Sequence, residues 1–136
     1  MASIEAIEGI GVRYRKKLLA GGIKTTGALL KAGASRKGRK DLAASTGCTE
    51  KQILEWVNRS DLMRVRGVGS EYSDLLEASG VDTVKALAKR NSSNLHAKMN
   101  AVNSAKRKPL VRRPPSLAEV ERWVAHAGEL DPVVTH

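Results

Sequence analysis

A pattern of apolar residue, spacer, glycine, apolar residue, glycine occurs twice in this chain, the second copy 58 residues after the first. Ile7-Glu8-Gly9-Ile10-Gly11 is matched by Val65-Arg66-Gly67-Val68-Gly69. The register continues well past the glycines. Tyr14 pairs with Tyr72, Leu18 with Leu76, Gly22 with Gly80, Ile23 with Val81, Thr25 with Thr83 and Leu29 with Leu87. Further on the second half carries nine extra residues, so that Trp56 pairs with Trp123. Repetition of this length implies two similar supersecondary units. The two Tyr and two Trp are the only aromatics, there being no Phe, and all four are repeat partners. That assigns them to cores and not to base stacking.

Each copy reads as a short helix, a tight turn and a second helix. Gly9 is expected to end the first helix at positive φ, and Gly11 to admit another backbone where the next helix starts. The run Val12 to Ala20 is basic and amphipathic. Its first-turn N–H groups and its dipole together favour a phosphate. The remaining punctuation is helical throughout. Ser3 caps the opening helix, Gly21-Gly22 stops the second, Thr25 or Thr26 starts a third ending near Gly33, and Ser35 starts one closed by Gly47. Thr49 and Gln52 form a capping box for a helix carrying Ile53, Trp56 and Val57. In the second half Ser60 precedes the short helix, Ser70 to Ala78 follows the turn, and Gly80 caps it. Helices over Thr83 to Arg90 and Ser93 to about Lys106 come next. Pro109, Pro114 and Pro115 hold an extended link, and Ser116 with Glu119 is a second capping box leading to Trp123. Nothing reads as a strand. The expectation is an all-α protein of about ten short helices in pseudo-twofold halves, residues 1–58 and 59–130, packed as one unit, with a loose tail over 131–136.

The repeated turn resembles the helix-hairpin-helix motif. That resemblance implies binding of duplex DNA through its sugar-phosphate backbone, using turn amides and a basic residue two places after the second glycine. Here that residue is Arg13, with Arg15, Lys16 and Lys17 nearby. The second copy departs from the pattern, having Glu71 at that position and Asp74 after it, although Arg64 and Arg66 flank the turn. More narrowly, the runs Arg66 to Leu76, Gly80 to Val84, Asn94 to Met99 and Leu110 to Ser116 resemble a bacterial family described as a domain of unknown function. This second resemblance implies the fold and brings no activity with it.

Charge points the same way as the turn. The chain has 24 Lys and Arg against 14 Asp and Glu, a formal charge of +10, which suits a polyanionic partner. The nucleic-acid-binding residues expected are Gly9, Ile10, Gly11, Arg13, Arg15 and Lys16 in the first hairpin, and Arg66, Gly67 and Gly69 in the second. Arg112 and Arg113, held beside prolines, complete the set. The cluster Arg36-Lys37-Gly38-Arg39-Lys40 and the run Lys106-Arg107-Lys108 are either phosphate-tracking or solvated surface. Residues 59–92, with six basic against five acidic side chains, are the least basic quarter. The rival expectation is therefore a protein adaptor that docks a partner on the acidic second hairpin. A minor alternative is a helix-turn-helix whose recognition helix, Thr49 to Val57, presents Lys51, Gln52 and Glu55 to base edges.

Catalysis finds no support in the residue pattern. The single cysteine, Cys48, has no histidine near it in sequence and reads as a small buried residue. No metal-ligand spacing occurs, and no cofactor is expected. No apolar run approaches the ~20 residues of a membrane span, and no signal-peptide core is present, so a cytoplasmic protein is expected, nucleoid-associated if DNA-bound.

Overall fold

A computed structural model of the chain describes residues 3–7 and 10–136. Gly9, expected at the first turn, lies outside the described residues. Those residues are all-helical, with eight α-helices and one 3-10 helix. None of these helices is long and apolar enough to cross a membrane. The chain divides into two compact units, one formed by Met1–Asp61 with Val133–His136 and the other by Leu62–Pro132.

The first unit contains the 3-10 helix Ile4–Ala6, then α1 (Val12–Ala20), α2 (Thr26–Gly33), α3 (Arg36–Thr46) and α4 (Glu50–Leu62). Its caps are those the sequence implies. Thr25 Oγ1 accepts the Ala28 N–H, Ser35 Oγ accepts that of Gly38, and Gly47 closes α3 in the left-handed region at φ +75°. Thr49 and Gln52 exchange hydrogen bonds as the expected capping box. Ile4, Ile7, Leu18, Leu29, Ile53 and Val57 are fully buried, and the Tyr14 ring meets that of Trp56 at 5.5 Å and 54°. Gly33 has a packing role as well as a terminal one. A Cβ there would stand 2.5 Å from Val57 Cγ2, so only glycine lets α2 approach α4 this closely.

The second unit contains α5 (Ser70–Ala78), α6 (Val84–Ala88), α7 (Ser92–Ala105) and α8 (Leu117–Glu129). Leu62, Val65, Leu75, Leu76, Leu87 and Met99 share one buried cluster with Trp123, and Tyr72 meets the indole at 5.0 Å and 53°. Two aromatic pairs thus occupy matching places, one in each unit. Hydrogen bonds repeat with them. Ile7 N–H donates to Ile4 O and Ile10 N–H to Ile7 O; at the 58-residue offset, Val65 donates to Leu62 and Val68 to Val65. Ile23 N–H bonds Leu18 O and Val81 N–H bonds Leu76 O, both at 2.9 Å, and Gly22 and Gly80 have φ of +86° and +92°.

Two expectations are revised. The described residues do not yield ten helices, because no separate short helix follows Ser60. The Ser60 hydroxyl donates backward to Trp56 O at 2.9 Å inside α4, which runs on to Leu62 before the turn. Nor is the tail loose. Val134 is buried, Thr135 N–H donates to Ala34 O, and Arg39 Nη2 donates to Thr135 O at 2.6 Å.

Candidate nucleic-acid interface

Six of the eight described α-helices begin under a side-chain cap, donated to by a first-turn N–H: Thr25, Ser35, Thr49, Thr83, Asn91 and Ser116. The two that do not are α1 and α5, which begin at Gly11 and Gly69 with no side-chain cap. Both glycines are extended, at φ −73° and −98°. The first intrahelical bonds, Arg15 to Gly11 O and Ser73 to Gly69 O, leave the preceding helical amides without intrahelical acceptors. A Cβ at either glycine would meet nothing within 4 Å. No backbone of this chain among the described residues makes the close approach expected at Gly11.

Around the first opening the charge is positive. Ile10 is partly buried, while Gly11, Arg13 and Lys16 are exposed. Arg13 and Lys16 form no ion pair among the described residues. Arg15 is engaged, its guanidinium 3.5 Å from Glu5 Oε1, and Lys17 lies 5.6 Å from the centre of the Tyr14 ring. Such an exposed ion pair is weak and salt-screened. Even so, Arg13 and Lys16 are the less encumbered cations.

The second opening is different. Gly67 takes φ +90°, the conformation expected at this turn, and a Cβ there would come 3.1 Å from Trp123 Nε1. The exposed Arg66 supplies its backbone N–H to Nδ1 of His126, 3.0 Å away on α8. Gly67 and Gly69 are exposed. Glu71 stands exposed in the first turn of α5, where it complements the helix dipole, whereas Asp74 is turned into the unit and is 9% exposed. A cavity of about 360 Å³ lies beside the turn, with Arg66, Arg122, Trp123 and His126 among its walls. The part played by His126 escapes sequence reading. Its only signal is that it sits three residues after Trp123, on the helix face that meets the turn.

Arg112 and Arg113 part company. Asn103 holds the link by exchanging two hydrogen bonds of 3.1 Å with the Val111 backbone. Arg112 is exposed with no ion pair among the described residues, but Arg113 grips Glu119 through two bonds of 3.0 Å. Tyr72 Oη donates to Arg113 O. Hydrogen bonding from Arg113, then from the Ser116 backbone, holds the Glu119 carboxyl below the usual carboxylate range, and the same bond raises Arg113. Arg113 is thus a clamp on the N-terminus of α8, with little charge left over for a phosphate.

Within the cluster 36–40, Arg39 is buried. Its Nη1 donates to Gly33 O and Ala34 O, closing the C-terminus of α2, and burial followed by the nearby Arg36 lowers its pKa. In α4 the Gln52 side chain is committed to Thr49, which removes one of the three base-reading candidates of the helix-turn-helix alternative.

With this geometry in place, comparison with known proteins gives one result. Residues 8–130 match the family described as a domain of unknown function (DUF4332), and the chain belongs to that family. No curated protein and no solved structure matches it.

Proposed function

We propose that this protein binds double-stranded DNA through backbone phosphates without reading sequence, and that its two units are tandem helix-hairpin-helix copies of unequal use. The observation that carries this reading is the bare start of α1. Where six other helices satisfy a first-turn amide with a side chain, α1 offers its amides to an open surface beside Arg13 and Lys16. Donors and dipole favour an anion there, and the two cations deepen the potential. A formal charge of +10 supplies long-range attraction to a polyanion. No acidic side chain lies in the first turn of α1 to compete for the site.

The second hairpin supports the rival reading, of a protein adaptor. One of its turn amides is already held by His126, and Glu71 faces solvent at the helix start. Such a surface suits a partner bearing basic groups better than a phosphate. The two readings are compatible within one molecule, DNA on the first hairpin and a protein on the second.

The test is fluorescence anisotropy with random and defined duplexes across a salt series. If about six phosphates are neutralised, log K falls with log salt at a slope of roughly −5, and Kd is on the order of micromolar or weaker at physiological salt. Random and defined duplexes should bind alike. Strong preference for one duplex would reject the reading in favour of base readout, and absence of salt-dependent retention on DNA resin would leave the adaptor.

A further inference from the structure

The cluster 36–40 is not a uniform solvated run. Once Arg39 turns inward, Arg36, Lys37 and Lys40 remain exposed on α3, and Lys51 is exposed on the first turn of α4. None of these four forms an ion pair among the described residues. Arg36, Lys37, Lys40 and Glu50 line a depression of about 650 Å³. A second, of about 380 Å³, shares Arg36 and Glu50 and extends to Lys51 and Leu54. The two depressions share Arg36 and Glu50 and form a concave groove along α3 and the start of α4, lined by these four cations and the Glu50 carboxylate.

In the wall of the second depression, the Arg39 guanidinium is bonded to three backbone carbonyls. Carbonyl dipoles take up those N–H groups without cancelling its charge, so the groove includes a fifth positive charge. The depression of the Arg39 pKa by burial and by Arg36, against the opposing influence of Glu50, reflects the same crowding. The side of α3 is fixed in place by Gly38, where a Cβ would collide with Ala32 O.

We infer that this groove on α3 and α4 is a second phosphate-binding surface, taking the backbone of the same nucleic acid as the first hairpin. The inference rests on the proposed DNA-binding role. Its dimensions fit a polyphosphate strand. Arg36 and Lys40 are four residues apart on a helix, about 6 Å of rise at 1.5 Å per residue. A DNA strand presents a phosphate about every 3.4 Å along the duplex axis, so the pair spans about two of them. That rise is shorter than the ~8 Å screening length at physiological salt, so charges carried at these two positions act on the same stretch of a polyanion. A membrane surface is the less suitable polyanion, because the large exposed apolar side chains, Val12, Leu19 and Leu117, are none of them in the groove.

The test is a titration of the ¹⁵N-labelled full chain with a mixed-sequence duplex, read by amide chemical shifts. Shifts in residues 11–16 together with 36–40 and 50–51 are expected. Shifts confined to 11–16 would overturn the groove and leave the hairpin reading intact. Shifts confined to the groove would support it and overturn the hairpin, and none anywhere would overturn both. The triple variant Arg36→Glu, Lys37→Glu, Lys40→Glu should make the salt slope shallower by about 2–3, at ~0.9 for each phosphate that is no longer neutralised. If that variant fails to fold, Glu50→Gln decides. Removing the carboxylate from the groove should tighten duplex binding severalfold, and an unchanged Kd would count against the proposal. Vesicles of phosphatidylcholine with phosphatidylinositol bisphosphate serve as the competing probe. Groove-dependent vesicle binding with no groove shifts on duplex would reassign the surface to lipid headgroups and overturn the inference.

Discussion

The imidazole Nδ1 of His126 accepts the backbone N–H of Arg66 at 3.0 Å, joining α8 to the turn that precedes α5. The bond requires an unprotonated Nδ1. It leaves one amide fewer at that turn for any other acceptor. His126→Ala should destabilise the second unit by about 1 kcal/mol, the net contribution of one such bond. Hydrogen exchange at the Arg66 amide should quicken well beyond what that global loss explains. Exchange at Arg66 that merely follows global stability would show that the bond does not hold the turn.

The two hairpins should respond unequally to charge reversal. Arg13→Glu with Lys16→Glu is expected to reduce duplex affinity by roughly two orders of magnitude or more while circular dichroism and melting stay unchanged, because both side chains are exposed and unpaired among the described residues. Arg66→Glu should weaken binding only slightly. Glu71→Lys should strengthen it and steepen its salt dependence. Equal losses at Arg13 and Arg66 would mean that both hairpins grip the duplex.

Trp56 and Trp123 are 3% and 2% exposed, each against its tyrosine. Replacing either with Ala should cost about 3–5 kcal/mol through lost burial and the cavity left behind. Against a typical total of ~5–15 kcal/mol, that is enough to lower the melting temperature severely. A Trp variant that kept its melting temperature but lost DNA binding would reassign the ring to base stacking.

Arg39 ties α2 to the chain end. Arg39→Met keeps the aliphatic stem and removes the donors to Gly33, Ala34 and Thr135. A loss of about 2–3 kcal/mol is expected from buried carbonyls left without a charged donor. Residues 133–136 should then become sensitive to carboxypeptidase. Unchanged resistance would show that Val134 burial alone secures the segment.

The Glu119 clamp sets an acid limit on the second unit. Its carboxyl is depressed by Arg113 and the Ser116 backbone, so its contribution is fully present above the unfolded carboxylate pKa of about 4.3 and disappears as pH falls through the lower folded-state value. Glu119→Gln should therefore lower stability at neutral pH and flatten the acid side of the pH profile. The check is chemical denaturation from neutral pH down to strongly acid conditions. A parallel downward shift at every pH would assign Glu119 a purely geometric role.

The sequence by itself determined the all-helical class and most of the helix starts and stops, though not the short helix expected after Ser60, which the described residues lack. Caps at Thr25, Ser35, Thr49 and Ser116 depend on partners three residues away, and the stops at Gly22, Gly47 and Gly80 depend on the backbone freedom of one residue. The packing role of the four aromatics was legible because the offset made each the repeat partner of its like, but that each Tyr meets the Trp of its own half emerged only from the fold. Tertiary structure alone decided which cations and turn amides are already engaged. Arg39 is taken from the surface by Thr135, 96 residues away, and the Arg66 amide by His126, 60 residues away. No local periodicity encodes such bonds, because they form only where packing brings distant backbone within about 3 Å. Arg113 marks the boundary between the two: its partner Glu119 is six residues off, but the link needed Asn103 and Tyr72 to hold it there. A cation read from sequence is a charge, and only the fold says whether that charge is already answered.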